Sequence, residues 1–392
     1  MEIITRQHVR MLSDEVVGQL GRFHLHWRFV DVRCLMKNDD HGPQGVHPPI
    51  IPYASFKRAR VFTGTRETGS YNHHSQLARF QGRYYLAWSN GMVDEEAEGQ
   101  RILVTDSANA CDWNDPTCVA GDKESSLAHN CIALHMTEEA MYLVGMSEEC
   151  HADASVVGMR RIDPESTCMD IYKSTDGARW EKVHSFGNRF KWIFEAPRLT
   201  LENRLLCVCT TLKEGPAVLL WPGIDICQEP DVIKIPEPEG ARFPYGEASW
   251  YQTGDGKIIV FWRDEGGSCR LFVNTSHDGG RSFTPPIISD IPDSMSRVHA
   301  GRLADGRYYL CNNAFPTLLD RRYLMLLLSD DGLTFNQVFV LADDPTSQRV
   351  KGLLKADGYQ YPCCLPESDR LLVAYSVNKE DIECGIVDLN RM

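Results

Sequence analysis

The sequence has no run of about 18 apolar residues, the length that would cross a bilayer as a helix, so a helical membrane span is excluded. Basic charge is in short supply: 41 Lys and Arg stand against 54 Asp and Glu, a formal net charge of −13. A phosphate backbone is bound through clustered positive charge, so this balance argues against a nucleic-acid partner. It leaves room for an anionic small ligand, which needs only a local basic pocket. None of the 14 cysteines forms a Cys-x-x-Cys pair, the usual signature of structural zinc. The opening MEIITRQHVRMLSDEVVGQL lacks a basic stretch followed by an apolar one, so no secretory leader is read. The cysteines are then expected to be reduced thiols in a cytoplasmic protein. Cys207, Cys209 and Cys311 lie in apolar strand contexts, where a thiol behaves as a small hydrophobe. Low-complexity segments and interdomain linkers are also missing.

Against these absences stands one repeated turn. Ser276-His277-Asp278-Gly279-Gly280-Arg281-Ser282-Phe283 has the form Ser-x-Asp-x-Gly-x-x-aromatic. Asp accepts hydrogen bonds from the backbone of its own turn, Gly permits positive φ, and the aromatic ring packs back onto a sheet. Ser174-Thr175-Asp176-Gly177-Ala178-Arg179-Trp180 and Ser329-Asp330-Asp331-Gly332-Leu333-Thr334-Phe335 repeat it with one residue fewer before the aromatic. A degenerate copy begins at Thr105-Asp106-Ser107 and ends at Trp113. The copies keep a period of roughly 50 residues, the length of a β-propeller blade. Apolar, β-prone runs bounded by turn residues surround them, as at 83–88, 204–209, 257–262 and 370–376. Six such groups fill the chain, so an all-β, six-bladed β-propeller is expected as a single domain over residues 1–392. Residues 1–22 read as an N-terminal extension or short helix, 23–36 as the strand that closes the ring, and 59–63 as the start of the first blade. Asn378-Lys379-Glu380-Asp381 reads as a solvated turn between two strands.

The octet at Ser276 looks like the Asp-box of the sialidase superfamily, and the chain from about residue 71 to 389 resembles that superfamily. The resemblance implies a six-bladed propeller of sialidase type and a set of site residues. Sialidases place a Glu on blade four and an Arg one hairpin later, and Glu247 precedes Arg263 in that arrangement. They place an Arg before the fifth-blade strand that leads into an Asp-box, where Arg321 and Arg322 stand here. They place a Tyr at the start of the sixth blade, matched by Gly358-Tyr359-Gln360-Tyr361-Pro362. In the family the Tyr is the nucleophile, the Glu draws its proton, and the arginines clamp the substrate carboxylate. A phenol with a pKa of about 10 needs such a base, and a guanidinium fork matches two carboxylate oxygens. The implied clamp is Arg263 with Arg322 or Arg321, with Gln360 beside the nucleophile. The family's acid maps by position onto Asp94, Glu95 or Glu96. Where sialidases carry Arg-Ile-Pro on the first strand, this chain reads Tyr71-Asn72-His73-His74-Ser75-Gln76-Leu77, with Asn and His in place of the third clamp arginine.

The adjacent histidines open a second chemistry. Some propeller enzymes cleave uronic-acid linkages by β-elimination, with His and Tyr moving protons while the carboxylate is neutralised. His74 or His129 with Tyr361 would serve. Successive residues of a strand face opposite sides, so at most one of His73 and His74 is expected to point at the axis. No tight i,i+2 or i,i+4 histidine pair stands out, so neither a metal nor another cofactor is expected. His299 reads as a surface or capping residue. The first reading is an exo-acting glycoside hydrolase that removes a terminal residue from a uronic- or sialic-acid-containing oligosaccharide. A lyase is the second. A carbohydrate-binding propeller without catalysis is the third, expected if Glu247 and Tyr361 are buried between blades.

Overall fold

The computed structural model describes residues 24–25, 51–152, 160–162, 164–192, 195–211 and 215–392. Six antiparallel sheets, each on a path of four strands, form the blades of a propeller. Blade one runs outward through Tyr71–Phe80, Arg83–Gly91, Arg101–Ser107 and Thr117–Ala120. Blades four, five and six begin at their inner edges with Ala248–Gln252, His299–Arg302 and Tyr359–Pro366. Among the described residues no helix is long and apolar enough to cross a membrane.

Both faces of a blade are covered by its neighbours, so its central strands read as continuous apolar runs. Leu205–Thr211 and Ile258–Trp262 are buried at every position. The period of two decides which neighbour each side chain meets. Leu206 and Val208 pack with Trp250, Val260 and Trp262 of blade four, whereas Leu205, Cys207 and Cys209 pack with Val144, Met169 and Ile171 of blade two. Cys311 and Cys364 sit in the core between blades five and six, and Cys363 and Cys384 in that between six and one. All 13 cysteines among the described residues are free thiols.

The ring closes through Phe56–Thr63, which pairs antiparallel with Asp381–Asp388, Phe56 opposite Val387 and Thr63 opposite Asp381. This corrects two expectations. Residues 59–63 belong to the outer edge of blade six, not to blade one, and the closing strand is not residues 23–36. Of that earlier stretch only His24–Leu25 is described, paired in parallel with Thr334–Phe335; the expected extension at 1–22 lies outside the described residues. Charge explains the choice of partner. Arg58 Nε lies 3.1 Å from Glu383, Arg60 reaches Glu383 at 2.9 Å, and Arg60 also pairs with Asp381.

The Asp-boxes fold as their composition dictates. Asp278 Oδ1 accepts from the amides of Arg281 and Ser282, while Ser276 Oγ accepts from the Gly280 amide. Gly177 is required twice over, by its φ of 76° and because a Cβ there would collide with the Tyr85 ring of blade one. The degenerate copy is real but starts at Ser107. Ser107-Ala108-Asn109-Ala110-Cys111-Asp112-Trp113 follows the shorter spacing, and Asn109 Oδ1 accepts from the amides of Cys111 and Asp112 at 2.9 Å each. Ala110 takes the glycine position at φ 59°.

Candidate active site

Glu247 stands just ahead of the inner strand of blade four, and Arg263 just after Ile258–Trp262, the next strand out. The Arg263 amide donates to the Glu247 carbonyl at 3.0 Å, so the ladder itself sets the two side chains face to face. Their side chains form a buried ion pair. Tyr361, from blade six, donates its hydroxyl to Glu247 and receives Arg263 Nη1 at 2.8 Å. Blades four and six are separated by blade five, so these side chains meet across the ring axis and not between neighbouring blades.

Tyr361 reaches the axis through an irregularity. The ladder of blade six slips between Gln360 and Cys363, and Tyr361 has a φ of 54°. That left-handed conformation, costly for a bulky residue, turns the ring inward and is held by its surroundings. Gly358, at φ 101°, lets the approaching chain pass so close to Arg321 that a Cβ would strike its carbonyl. Arg321 donates to Gln360 Oε1 at 2.6 Å and to the Met295 carbonyl at 2.9 Å, and its guanidinium lies 5.6 Å from the centroid of the Tyr361 ring.

Blade one contributes a second bulge. Its register shifts between His73 and Gln76, and His74 has a φ of 56°. The alternation expected of a strand is therefore broken, and both imidazoles lie beside Tyr361, with ring centroids 4.1 Å and 5.6 Å away. His73 Nδ1 meets Ser376 Oγ at 2.7 Å. His74 Nδ1 meets Ser89 Oγ at 3.1 Å and its Nε2 lies 3.1 Å from Glu95 Oε1. The other oxygen of Glu95 accepts from Lys379.

Burial raises the Glu247 carboxyl, but the Arg263 charge and the Tyr361 hydrogen bond outweigh it and hold Glu247 below its ordinary range. Burial, then Glu247, pushes the Tyr361 phenol far up. Burial, followed by Lys379, drives His73 well down, so its imidazole is neutral. For Glu95 burial is outweighed by Lys379 and His74, which keep it ionised. The resting site thus pairs a neutral phenol with an ionised base, the state in which Glu247 can take the Tyr361 proton.

The other residues singled out in the sequence take different places. The Arg322 side chain is 61% exposed and pairs with Asp320, so the buried Arg321, not Arg322, joins Arg263 in this site. Asp94 uses its carboxylate to accept from the Leu353 and Leu354 amides, and its neighbour Glu95 enters the site. Asn72 is spent on structure: it donates to the Gly69 and Glu380 carbonyls and accepts from Trp88 and Asn90. His129 packs its Nδ1 against Gly121. Gln360 positions Arg321 and donates to the Ala356 carbonyl.

Residues 378–381 are buried, not solvated. Asn378 accepts from the Gly358 amide, Lys379 holds Glu95, Glu380 is 3.4 Å from Lys355, and Asp381 pairs with Arg349. His299 is likewise buried, 3.8 Å from Glu195, a carboxylate that also takes Arg198 and Ser249. Nothing in the local composition marks Lys379, whose partner Glu95 is 284 residues away, and Glu195 joins its near neighbour Arg198 to the distant Ser249.

A six-bladed propeller whose axis gathers a tyrosine, a glutamate and two arginines from three blades is a propeller of the sialidase-like class. The model of the BNR repeat-like domain family matches residues 82–373, and the chain belongs to that family. Among solved structures, the intramolecular trans-sialidase from Ruminococcus gnavus, in complex with oseltamivir carboxylate, is 12% identical. It superposes with a TM-score of 0.60 over 85% of this chain and 98% of that one. A Dyadobacter fermentans protein of unknown function is 15% identical, with a TM-score of 0.64 over 85% of this chain and 98% of its own. A sialidase is 18% identical with a TM-score of 0.59, matching 86% of this chain but 33% of that protein's length. At such identities the likeness establishes the fold. No curated protein matches the sequence.

Proposed function

We propose that the protein is an exo-acting glycosidase that removes a terminal acidic sugar from an anionic oligosaccharide. The observation that carries this reading is the contact of the Tyr361 hydroxyl with both Glu247 and Arg263 on the ring axis. Tyr361 Oη attacks the anomeric carbon, its proton passes to Glu247, and the glycosidic C–O bond breaks. The leaving oxygen takes a proton from the Lys379–Glu95–His74 array, in which Lys379 and His74 Nε2 both contact the ionised Glu95. Water then attacks the same carbon, gives a proton to that array, and the tyrosine oxygen recovers its own from Glu247. Two displacements at one carbon retain its configuration. Arg321 and Arg263 receive the substrate carboxylate.

A second reading, elimination at a uronic-acid linkage, is favoured by one observation: neutral His73 lies against Tyr361, a base and an acid side by side. One assay separates the two. The protein is incubated with sialosides and uronic-acid-terminated oligosaccharides, and released sugar and the ultraviolet absorbance of unsaturated uronates are followed together. Released sugar with flat absorbance, lost in Tyr361→Phe, is the expected result. A rise in absorbance replaces hydrolysis by elimination, and binding without turnover of any substrate overturns both.

A further inference from the structure

His73, His74 and Glu95 each present one ligand atom, and the three atoms lie within 4.8 Å of one another. We propose that these residues form a binding site for a divalent transition-metal ion of the zinc class, beside Tyr361. Two imidazoles and one carboxylate are a donor set that zinc accepts, with a fourth position left open for water or substrate.

Three observations support it. Among the described residues His73 Nε2 is fully buried and has no hydrogen-bond partner, so it is available to a ligand. His73 Nδ1 is engaged with Ser376 Oγ at 2.7 Å, which leaves Nε2 as the nitrogen open to a ligand. Second, each ligand's remaining polar atom is already anchored: His73 Nδ1 by Ser376, His74 Nδ1 by Ser89, and Glu95 Oε2 by Lys379. Outer partners of this kind fix the ring orientation and tautomer of metal ligands. Third, the bulge at φ 56° that brings two adjacent histidines to one side is a strained arrangement, and shared coordination gives it a purpose.

The ion would stand on the first strand, where the sialidase-like pattern carries an arginine. Its role as a third contact to the substrate carboxylate rests on the glycosidase reading, but the binding site does not. The opposing charge is Lys379, whose ammonium shares Glu95.

The test uses the full chain, stripped with chelator and then titrated calorimetrically with Zn2+ and separately with Co2+, without any substrate. One equivalent of each is expected, with the visible absorption of four-coordinate Co2+. Ser376→Ala, which removes an outer partner only, is expected to weaken Zn2+ binding about 10- to 100-fold. Glu95→Gln is expected to abolish the one-equivalent step while the circular dichroism spectrum is kept, and Lys379→Met to tighten it. Absence of saturable binding to the wild-type chain overturns the proposal, as does an unchanged titration in both Glu95→Gln and His73→Ala. Because no sugar is present, failure here leaves the hydrolysis assay standing, and failure of that assay leaves this one.

Discussion

At the scale of single residues, the site works by holding two protonation states apart. Glu247 accepts from Tyr361 and Arg263, and those contacts outweigh the burial that would otherwise protonate it. Tyr361→Phe and Glu247→Gln are each expected to lower kcat by roughly 10²- to 10⁴-fold, the range for losing a proton-transfer partner. Melting temperatures near that of the wild type would show that the loss is chemical. The depressed Glu247 pKa also sets a sign. A carboxyl whose folded pKa lies below its unfolded value of about 4.3 adds stability above that pH and loses it as pH falls through the folded pKa. The acid limb of kcat/KM is therefore expected below about pH 4.3. In Arg263→Met the main influence opposing burial is gone and the limb should move upward. A pH–rate profile of the two proteins checks this, and a limb that stays in place would remove Arg263 as its cause.

At the scale of elements, turns and bulges carry the specific information. The Asp-box glycine is demanded by a positive φ and, at Gly177, by the Tyr85 ring. Gly177→Ala is expected to cost about 1–3 kcal/mol in denaturant unfolding. Asn109 does in blade one what Asp does in the other boxes, so Asn109→Ala should cost about 1–2 kcal/mol through its lost hydrogen bonds. Equal stability of that variant and the wild type would mean that the degenerate box is not a working one. The strand pattern of the blades was readable because both faces of each sheet are buried and apolar runs mark them. The bulges at His74 and Tyr361 were not readable. Period-two reasoning assigns neighbours to opposite faces, and a slipped register cancels that rule at the two positions where the site is built.

At the scale of the molecule, closure depends on an outer strand held by charge. Asp381 and Glu383 are nearly buried and are neutralised in part by Arg60 and Arg58. Reversing both arginines to Glu strands buried carboxylates against like charge and is expected to cost roughly 3–5 kcal/mol. Amide exchange should then quicken first along Asp381–Asp388. Uniform quickening over all blades would show instead that the ring opens as one unit.

The number of blades, the turns between them and the apolar runs that fill the cores follow from the amino-acid order, because each depends on residues close together in the chain. The pairing of Glu247 with Arg263 was also within reach, since one hairpin joins them. The rest of the site was not. Arg263 and Tyr361 are 98 residues apart, and Lys379 and Glu95 are 284 apart. Composition made Arg321 and Arg322, or Asp94 and Glu95, equivalent candidates. The packed ring separated them: one member of each pair is turned to the axis, the other to a loop or to solvent. Closing six blades around a common axis brings these groups into one space, and no local pattern encodes that meeting.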